Sequence, residues 1–275
     1  MFWEKLPKPF FVLAPLANVT DAAFRRLIAR CGKPDVLWTE FVSADGLMSR
    51  GRDKLLPDLI FTPAERPIVA QLFSARPEVL EPAAKLVAAL GFDGLDLNMG
   101  CPDRQVEKQG AGAALIKNPT LARELIRAAR AGAGGLPVSV KTRIGYRRNE
   151  LDAWLPELLA EQPAAITLHA RTRQEMSKVP AQWAAVARAV KIRDELRSQT
   201  LIIGNGDVGD LAAARARAAE TGADGIMLGR AIFGNPWLFA ERQPTTAERL
   251  RGLVEHTKLF EELLGGVKSF SIMKK

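Results

Sequence analysis

Apolar and polar positions follow one repeating order along this chain. A short apolar run comes first, then a polar or glycine turn, then a longer stretch rich in Ala, Leu and Arg. Short apolar runs bounded by turn residues predict buried strands, and the longer stretches carry apolar residues at helical spacing. Strands are predicted over residues 11–14, 36–41 and 68–73, at the start of the stretch 93–102, and over 137–142, 165–169, 201–204 and 225–228. Thr20 or Asp21 caps a first helix carrying Phe24, Leu27 and Ile28, and further helices are expected over 77–90 and 119–131. After the eighth strand only a short helical turn near 230–233 is expected. Eight strands alternating with helices imply parallel βα units, and eight such units close as a barrel. An open doubly wound sheet is the alternative; eight repeats without an early Gly-x-Gly-x-x-Gly turn weigh against it. The expected fold class is therefore α/β, a (β/α)8 TIM barrel followed by a short, apparently truncated C-terminal helical segment. The barrel takes residues 1–243 and the segment 244–275. Within the segment, 245–264 reads as helix, Gly265-Gly266 breaks it, and Phe260, Leu263 and Leu264 need the barrel wall to cover them.

Composition changes this picture only in part. The 275 residues are 47% hydrophobic, enough for one large core. The formal net charge is +8 and the pI about 9.7. That balance suits a polyanionic partner or a solvated basic surface. Cys31 and Cys101 make neither a disulfide framework nor a zinc-ligand set, and His169 and His256 leave little for a metal site. The apolar run 10–17 is too short to span a membrane and is broken by Pro15; it suits a first core strand better than a signal segment. The chain reads as cytoplasmic, with no membrane partner.

In a barrel of this type the active site lies at the C-terminal ends of the strands. Those ends carry Pro15 to Asn18, Glu40, Gln71, Asn98 with Cys101, Lys141 with Arg143, His169 with Arg171, Asn205 to Asp207, and Gly229 with Arg230. Each alone is weakly informative, since strand ends are generally polar, but their convergence on one rim marks a site. The sequence Asn98-Met99-Gly100-Cys101-Pro102 ends a buried strand in a sharp turn holding a thiol. A lone cysteine is more often inert core, yet a thiol on such a turn is placed for proton transfer or nucleophilic attack. The turns at 204–209 and 229–230 follow strands seven and eight, where barrels bind phosphate through backbone N–H groups; Arg230 adds a fixed charge.

These residues carry a family resemblance. Ala14-Pro15-Leu16, Thr20-Asp21 with Phe24-Arg25, Gln71-Leu72, Asn98-Met99-Gly100-Cys101-Pro102, Val140-Lys141-Thr142-Arg143, His169-Ala170-Arg171-Thr172, Gly204-Asn205-Gly206-Asp207-Val208 and Gly229-Arg230-Ala231 run in order over about 230 residues. In this the chain resembles the tRNA-dihydrouridine synthases, FMN-dependent barrels with a C-terminal helical domain. The resemblance implies reduction of uridine in tRNA, with FMN reduced by NADPH or NADH. It implies Cys101 as the general acid. It implies Pro15, Leu16, Ala17, Gln71, Lys141, His169, Asn205, Gly206, Asp207, Gly229 and Arg230 as FMN contacts, and Asn98, Arg143 and Arg171 near the substrate base. No metal is implied, and a monomer is expected. Leu16 departs from the Met common in the family, and residues 177–183 replace a more glycine-rich turn. Other readings are an FMN dehydrogenase of a free pyrimidine, a flavin-dependent RNA uracil methyltransferase, and a non-catalytic RNA-binding barrel. Basic clusters at Arg50 and Arg52, Arg104 and Lys108, Arg143 with Arg147 and Arg148, and Arg171 with Arg173 and Lys178 all follow strands, where an RNA backbone would be engaged.

Overall fold

The computed structural model describes residues 1–274. Lys275, the last residue of the expected C-terminal segment, lies outside the described residues. Eight strands form one parallel sheet: β1 (Phe10–Leu13), β2 (Leu37–Ser43), β3 (Ile68–Phe73), β4 (Gly94–Met99), β5 (Val138–Arg143), β6 (Ala165–His169), β7 (Leu201–Asn205) and β8 (Gly225–Leu228). Their order is β1-β8-β7-β6-β5-β4-β3-β2. The two ends meet through a parallel bridge between Val12 and Val36, and Asp35 ties the seam. Its backbone N–H donates to the Phe11 carbonyl at 2.9 Å, and its carboxylate accepts from the Phe11 N–H at 2.7 Å. The expected barrel is thus the observed one.

Alternation along the strands divides the core in two. Outward residues such as Leu95, Leu97, Val140, Ile166 and Ile202 pack under the helices. Inward residues near the strand starts form a smaller cluster of Phe10, Val12, Trp38, Val69 and Ile203. Trp3 closes it from below, on the turn Phe2–Lys5. With the lower barrel filled by side chains, its interior opens at the C-terminal ends of the strands.

Three strands run further at their C-terminal ends than expected, and β1 stops one residue short, at Leu13. β5 reaches Arg143 and β7 reaches Asn205, one residue past the apolar runs, because Arg143, His169 and Asn205 pair in register across β5, β6 and β7. β2 continues to Ser43, with an irregularity between Trp38 and Phe41. The first helix, Ala22–Cys31, takes Asp21 as its cap, whose carboxylate accepts from the Phe24 N–H at 3.0 Å. Thr20 instead accepts from Leu16 N–H at 3.0 Å and holds the β1 turn. The C-terminal helix Thr246–Leu264 begins in a reciprocal Thr245/Glu248 capping box. Its Leu259, Phe260 and Leu264 bury against Ala23 on the barrel's first helix, and Leu263 packs partly buried beside them.

Candidate active site

At the C-terminal rim lies a cavity of about 810 Å³. Its wall includes Pro15, Leu16, Ala17, Gln71, Asn98, Cys101, Lys141, Arg143, His169, Arg171, Asn205, Gly206, Asp207, Gly229 and Arg230. Every residue expected as acid, cofactor contact or neighbour of the substrate base is therefore brought to one hollow. Phe41 and Phe233 also line it, and sequence reasoning did not select them; an aromatic at a strand end carries no signal that separates cavity wall from core. Among the rim residues Asn18 stands outside this wall, and so does Glu40. Its carboxylate turns away from the cavity, accepting from the Asn18 N–H and, at 2.6 Å, from Lys268 of the C-terminal segment, which also pairs with Asp58.

The Cys101 turn is held from three directions. The Asn98 side-chain oxygen accepts from the N–H groups of Gly100 (3.2 Å) and Cys101 (2.9 Å). The Cys101 carbonyl accepts from Ala113 N–H at 2.9 Å, bringing the 110–113 loop against the turn. Gly112 sits there at φ +62°, where a β-carbon would meet the Cys101 carbonyl oxygen at 2.7 Å, so glycine is required. The third hold is Arg143, only 6% exposed, which donates to the carbonyls of Gly100 (2.8 Å), Thr172 (3.1 Å) and Met176 (3.0 Å). Three of its five N–H groups are thus spent on backbone. Burial pushes the Cys101 thiol above its ordinary pKa, outweighing the Asp103 backbone N–H and the charges of Arg143 and Lys141, which pull it down. It carries its proton at neutral pH, the state a proton donor needs.

Lys141, Arg143, Arg171 and Arg230 gather on this wall, and Asp207 is its one carboxylate among the described residues. Asp207 is already taken: it accepts from Arg171, from Arg230 at 3.2 Å and from Ala181 N–H at 2.9 Å. The Arg171 bond is the main cause of its lowered pKa. Arg171 also donates to the Val179 carbonyl at 2.6 Å and lies 3.2 Å from Nε2 of His169. A guanidinium can only donate, so Nε2 is the acceptor and the imidazole proton sits on Nδ1. Burial first, then the charges of Lys141, Arg143, Arg171 and Arg230, pull the His169 pKa down to about 2. Burial also lowers Lys141, to about 8, and its one hydrogen bond, to Asn205, is long at 3.4 Å. Gly206 (φ +135°) and Asp207 (φ 50°) both take positive φ, which turns the chain sharply at the end of β7.

The rim arginines divide into two groups. Arg143 and Arg171 are buried, and Arg173 pairs with Glu107. Expected to meet RNA from the outside, these three are instead committed to the protein itself. Arg50, Arg52, Arg104, Lys108, Arg147, Arg148 and Lys178 stay exposed.

A family model described as "Dihydrouridine synthase (Dus)" matches residues 12–272. The chain belongs to this family. Among curated relatives of the dihydrouridine synthase family, "Probable tRNA-dihydrouridine synthase 2" of Bacillus subtilis (strain 168) is 45% identical over 266 residues, 95% of this chain and 81% of that one. "Probable tRNA-dihydrouridine synthase" of Staphylococcus aureus (strain COL) is 41% identical over 265 residues, 95% and 80% of the two chains. Solved structures of similar fold include a histamine dehydrogenase from Rhizobium sp. 4-9 (TM-score 0.63, 14% identity, 90% of this chain and 48% of that one). Morphinone reductase with tetrahydroNAD is another (TM-score 0.57, 14% identity, 90% and 92%). At these identities the likeness is one of fold.

Proposed function

We propose that the rim cavity holds FMN and that Cys101 delivers the proton when a uridine of tRNA is reduced to 5,6-dihydrouridine. The activity is that of a flavin-dependent oxidoreductase of the dihydrouridine synthase family. The observation that carries the assignment of roles is the pairing of a protonated thiol with a cation-lined hollow on one barrel rim. The hollow fits the cofactor: four cationic side chains meet one carboxylate that is already paired, and Lys141 lacks a close partner.

Bound FMN supplies the hydride, replenished from NADPH or NADH, for the uracil ring. Pro15, Leu16, Ala17, Gln71, Lys141, His169, Asn205, Gly206, Asp207, Gly229 and Arg230 would hold it. Lys141 would place positive charge beside the flavin, where it would stabilise the negative charge of the reduced form. The Gly206-Asp207 turn and Arg230 suit a phosphate. His169, neutral and oriented by Arg171, donates from Nδ1 only. Asn98 holds the Cys101 turn and lines the hollow, so it faces both the acid and the substrate base. Arg143 acts chiefly by positioning that turn, and Arg171 by orienting His169 and Asp207. A uracil must leave its stack to reach such a hollow, and the exposed basic groups from Arg50 to Lys178 would engage the backbone around it.

Residues 1–243 form the catalytic unit in this reading, and 244–275 belong to the helical RNA-binding part. No helix among the described residues is long and apolar enough to cross a membrane, in keeping with work on cytoplasmic tRNA. The test is Cys101→Ala. The variant should bind FMN one-to-one and accept electrons from NADPH while making no dihydrouridine by nucleoside mass spectrometry. Wild-type product formation by this variant would remove Cys101 from the role of acid.

A further inference from the structure

We propose that Asp96 is a positioning residue of the flavin site: it sets the donor and acceptor polarity of Gln71 and Asn98 and, through them, the Cys101 turn. Asp96 points into the barrel from β4, fully buried, just beneath the residues that line the cavity. Register places it in one row with Gln71 on β3 and Ser139 on β5. It accepts from the Ser139 hydroxyl at 2.5 Å and from Nε2 of Gln71 at 2.6 Å. An ionised carboxylate has no proton to give, so Gln71 must turn its NH2 toward Asp96. The Gln71 oxygen is thereby left to accept from Nδ2 of Asn98 at 3.0 Å. Asn98 must then turn its own oxygen outward, where it accepts from the N–H groups of Gly100 and Cys101.

Each amide has nearly the same shape when flipped. Packing alone therefore does not choose between the two orientations. With Gln71 alone flipped, its NH2 would face the NH2 of Asn98; with both amides flipped, the Cys101 turn would lose its acceptor. One carboxylate decides both amides, and it alone in the row cannot donate. Gln71 and Asn98 also line the hollow, so the same choice decides which of their atoms a ligand meets.

The device responds to protonation. Burial raises the Asp96 carboxyl to about 6 against the pull of Ser139, Gln71 and Lys141. Lys141 is the charged group facing it; Gln71, Ser139 and Trp38 are neutral. A protonated carboxyl can donate, and polarity is no longer enforced. The sign separates site from fold. A carboxyl raised in the folded state binds protons more tightly there, so its contribution to stability improves as pH falls toward the unfolded value near 3.9, while the site loosens.

The proposal rests on the flavin reading given above. Full-length wild type, Asp96→Asn and Asp96→Leu are compared, each with Cys31→Ser so that Cys101 is the sole thiol. FMN affinity is read by flavin fluorescence and the bound flavin's visible spectrum between pH 8 and 5. Iodoacetamide alkylation of Cys101 is read without FMN over the same range. Wild type should lose affinity as pH falls through about 6, whereas Asp96→Asn, weaker at pH 8, should be flat across that interval. Asp96→Leu, with no acceptor, should bind FMN about tenfold less tightly and alkylate severalfold faster at pH 8. If Asp96→Leu does not fold, the pH comparison with Asp96→Asn decides. Parallel pH curves, or FMN affinity and alkylation within twofold of wild type, would overturn the proposal. Failure of wild type to bind FMN would sink the flavin reading instead, and the alkylation series would still judge the relay.

Discussion

His169 offers the sharpest test of the site's electrostatics. Its Nε2 lies 3.2 Å from an Arg171 guanidinium nitrogen, so a proton there would set two donors face to face. Lys141, Arg143 and Arg230 add their charges, and burial removes the water that would screen them. The folded pKa falls to about 2 from an ordinary 6.5. A histidine lowered in the folded state contributes stability that is present above its unfolded pKa and lost as pH falls below it. The unfolded chain takes up the proton between pH 7 and 5; the folded chain does not. Each pH unit below 6.5 costs about 1.4 kcal/mol, and integration from pH 7 to 5 gives roughly 2 kcal/mol. The perturbation is His169→Gln, which retains an acceptor and cannot ionise. Urea unfolding of the apo-protein at pH 7, 6 and 5 should show the wild type falling about 2 kcal/mol further than the variant. His256 also has a lowered pKa from burial, but it is common to both proteins and cancels. With only two histidines in the chain, NMR can assign the imidazoles directly, and His169 should stay neutral to the acid limit of the fold. Stability curves that run parallel, or a His169 titration near 6, would refute the cation cluster as the controlling feature of this wall.

Arg143→Ala should cost roughly 3 kcal/mol in urea unfolding, because buried carbonyls lose a charged donor at about 1–3 kcal/mol each. It should also speed alkylation of Cys101; an unchanged thiol rate would point to substrate contact as its sole role. Phe260→Ala, at a fully buried position on the C-terminal helix, should cost about 3–5 kcal/mol. FMN affinity should stay the same, since the residue touches the outside of the barrel; flavin loss in parallel would mean the helix supports the cavity. For tRNA, changing Arg147 and Arg148 to Ala should reduce the slope of log affinity against log salt by about one to two. A slope that is already flat in wild type would move recognition away from these exposed arginines.

Much of this protein was legible before its structure. Eight apolar runs, each ending in polar or glycine residues, specify parallel βα units because alternation and helical spacing are local properties of the chain. The residues at those ends could be named because the barrel sends every strand's C-terminal end to one rim. The burial of Phe260 and Leu264 was equally accessible, being a matter of an apolar stripe in need of cover. What no local pattern contains is which partner a side chain finds across the barrel. Arg143 and Arg171 read as arms for RNA, yet meet carbonyls 29 to 43 residues away or a neighbouring carboxylate. Glu40 reads as a rim acid, yet is taken by Lys268, 228 residues later. Asp96 drew no notice of its own, because its role arises only when register sets Gln71 and Ser139 beside it. Strand register and closure are non-local, fixed by packing of the whole sheet, and they convert a set of polar strand ends into a protonated thiol, a neutral imidazole and a cationic wall.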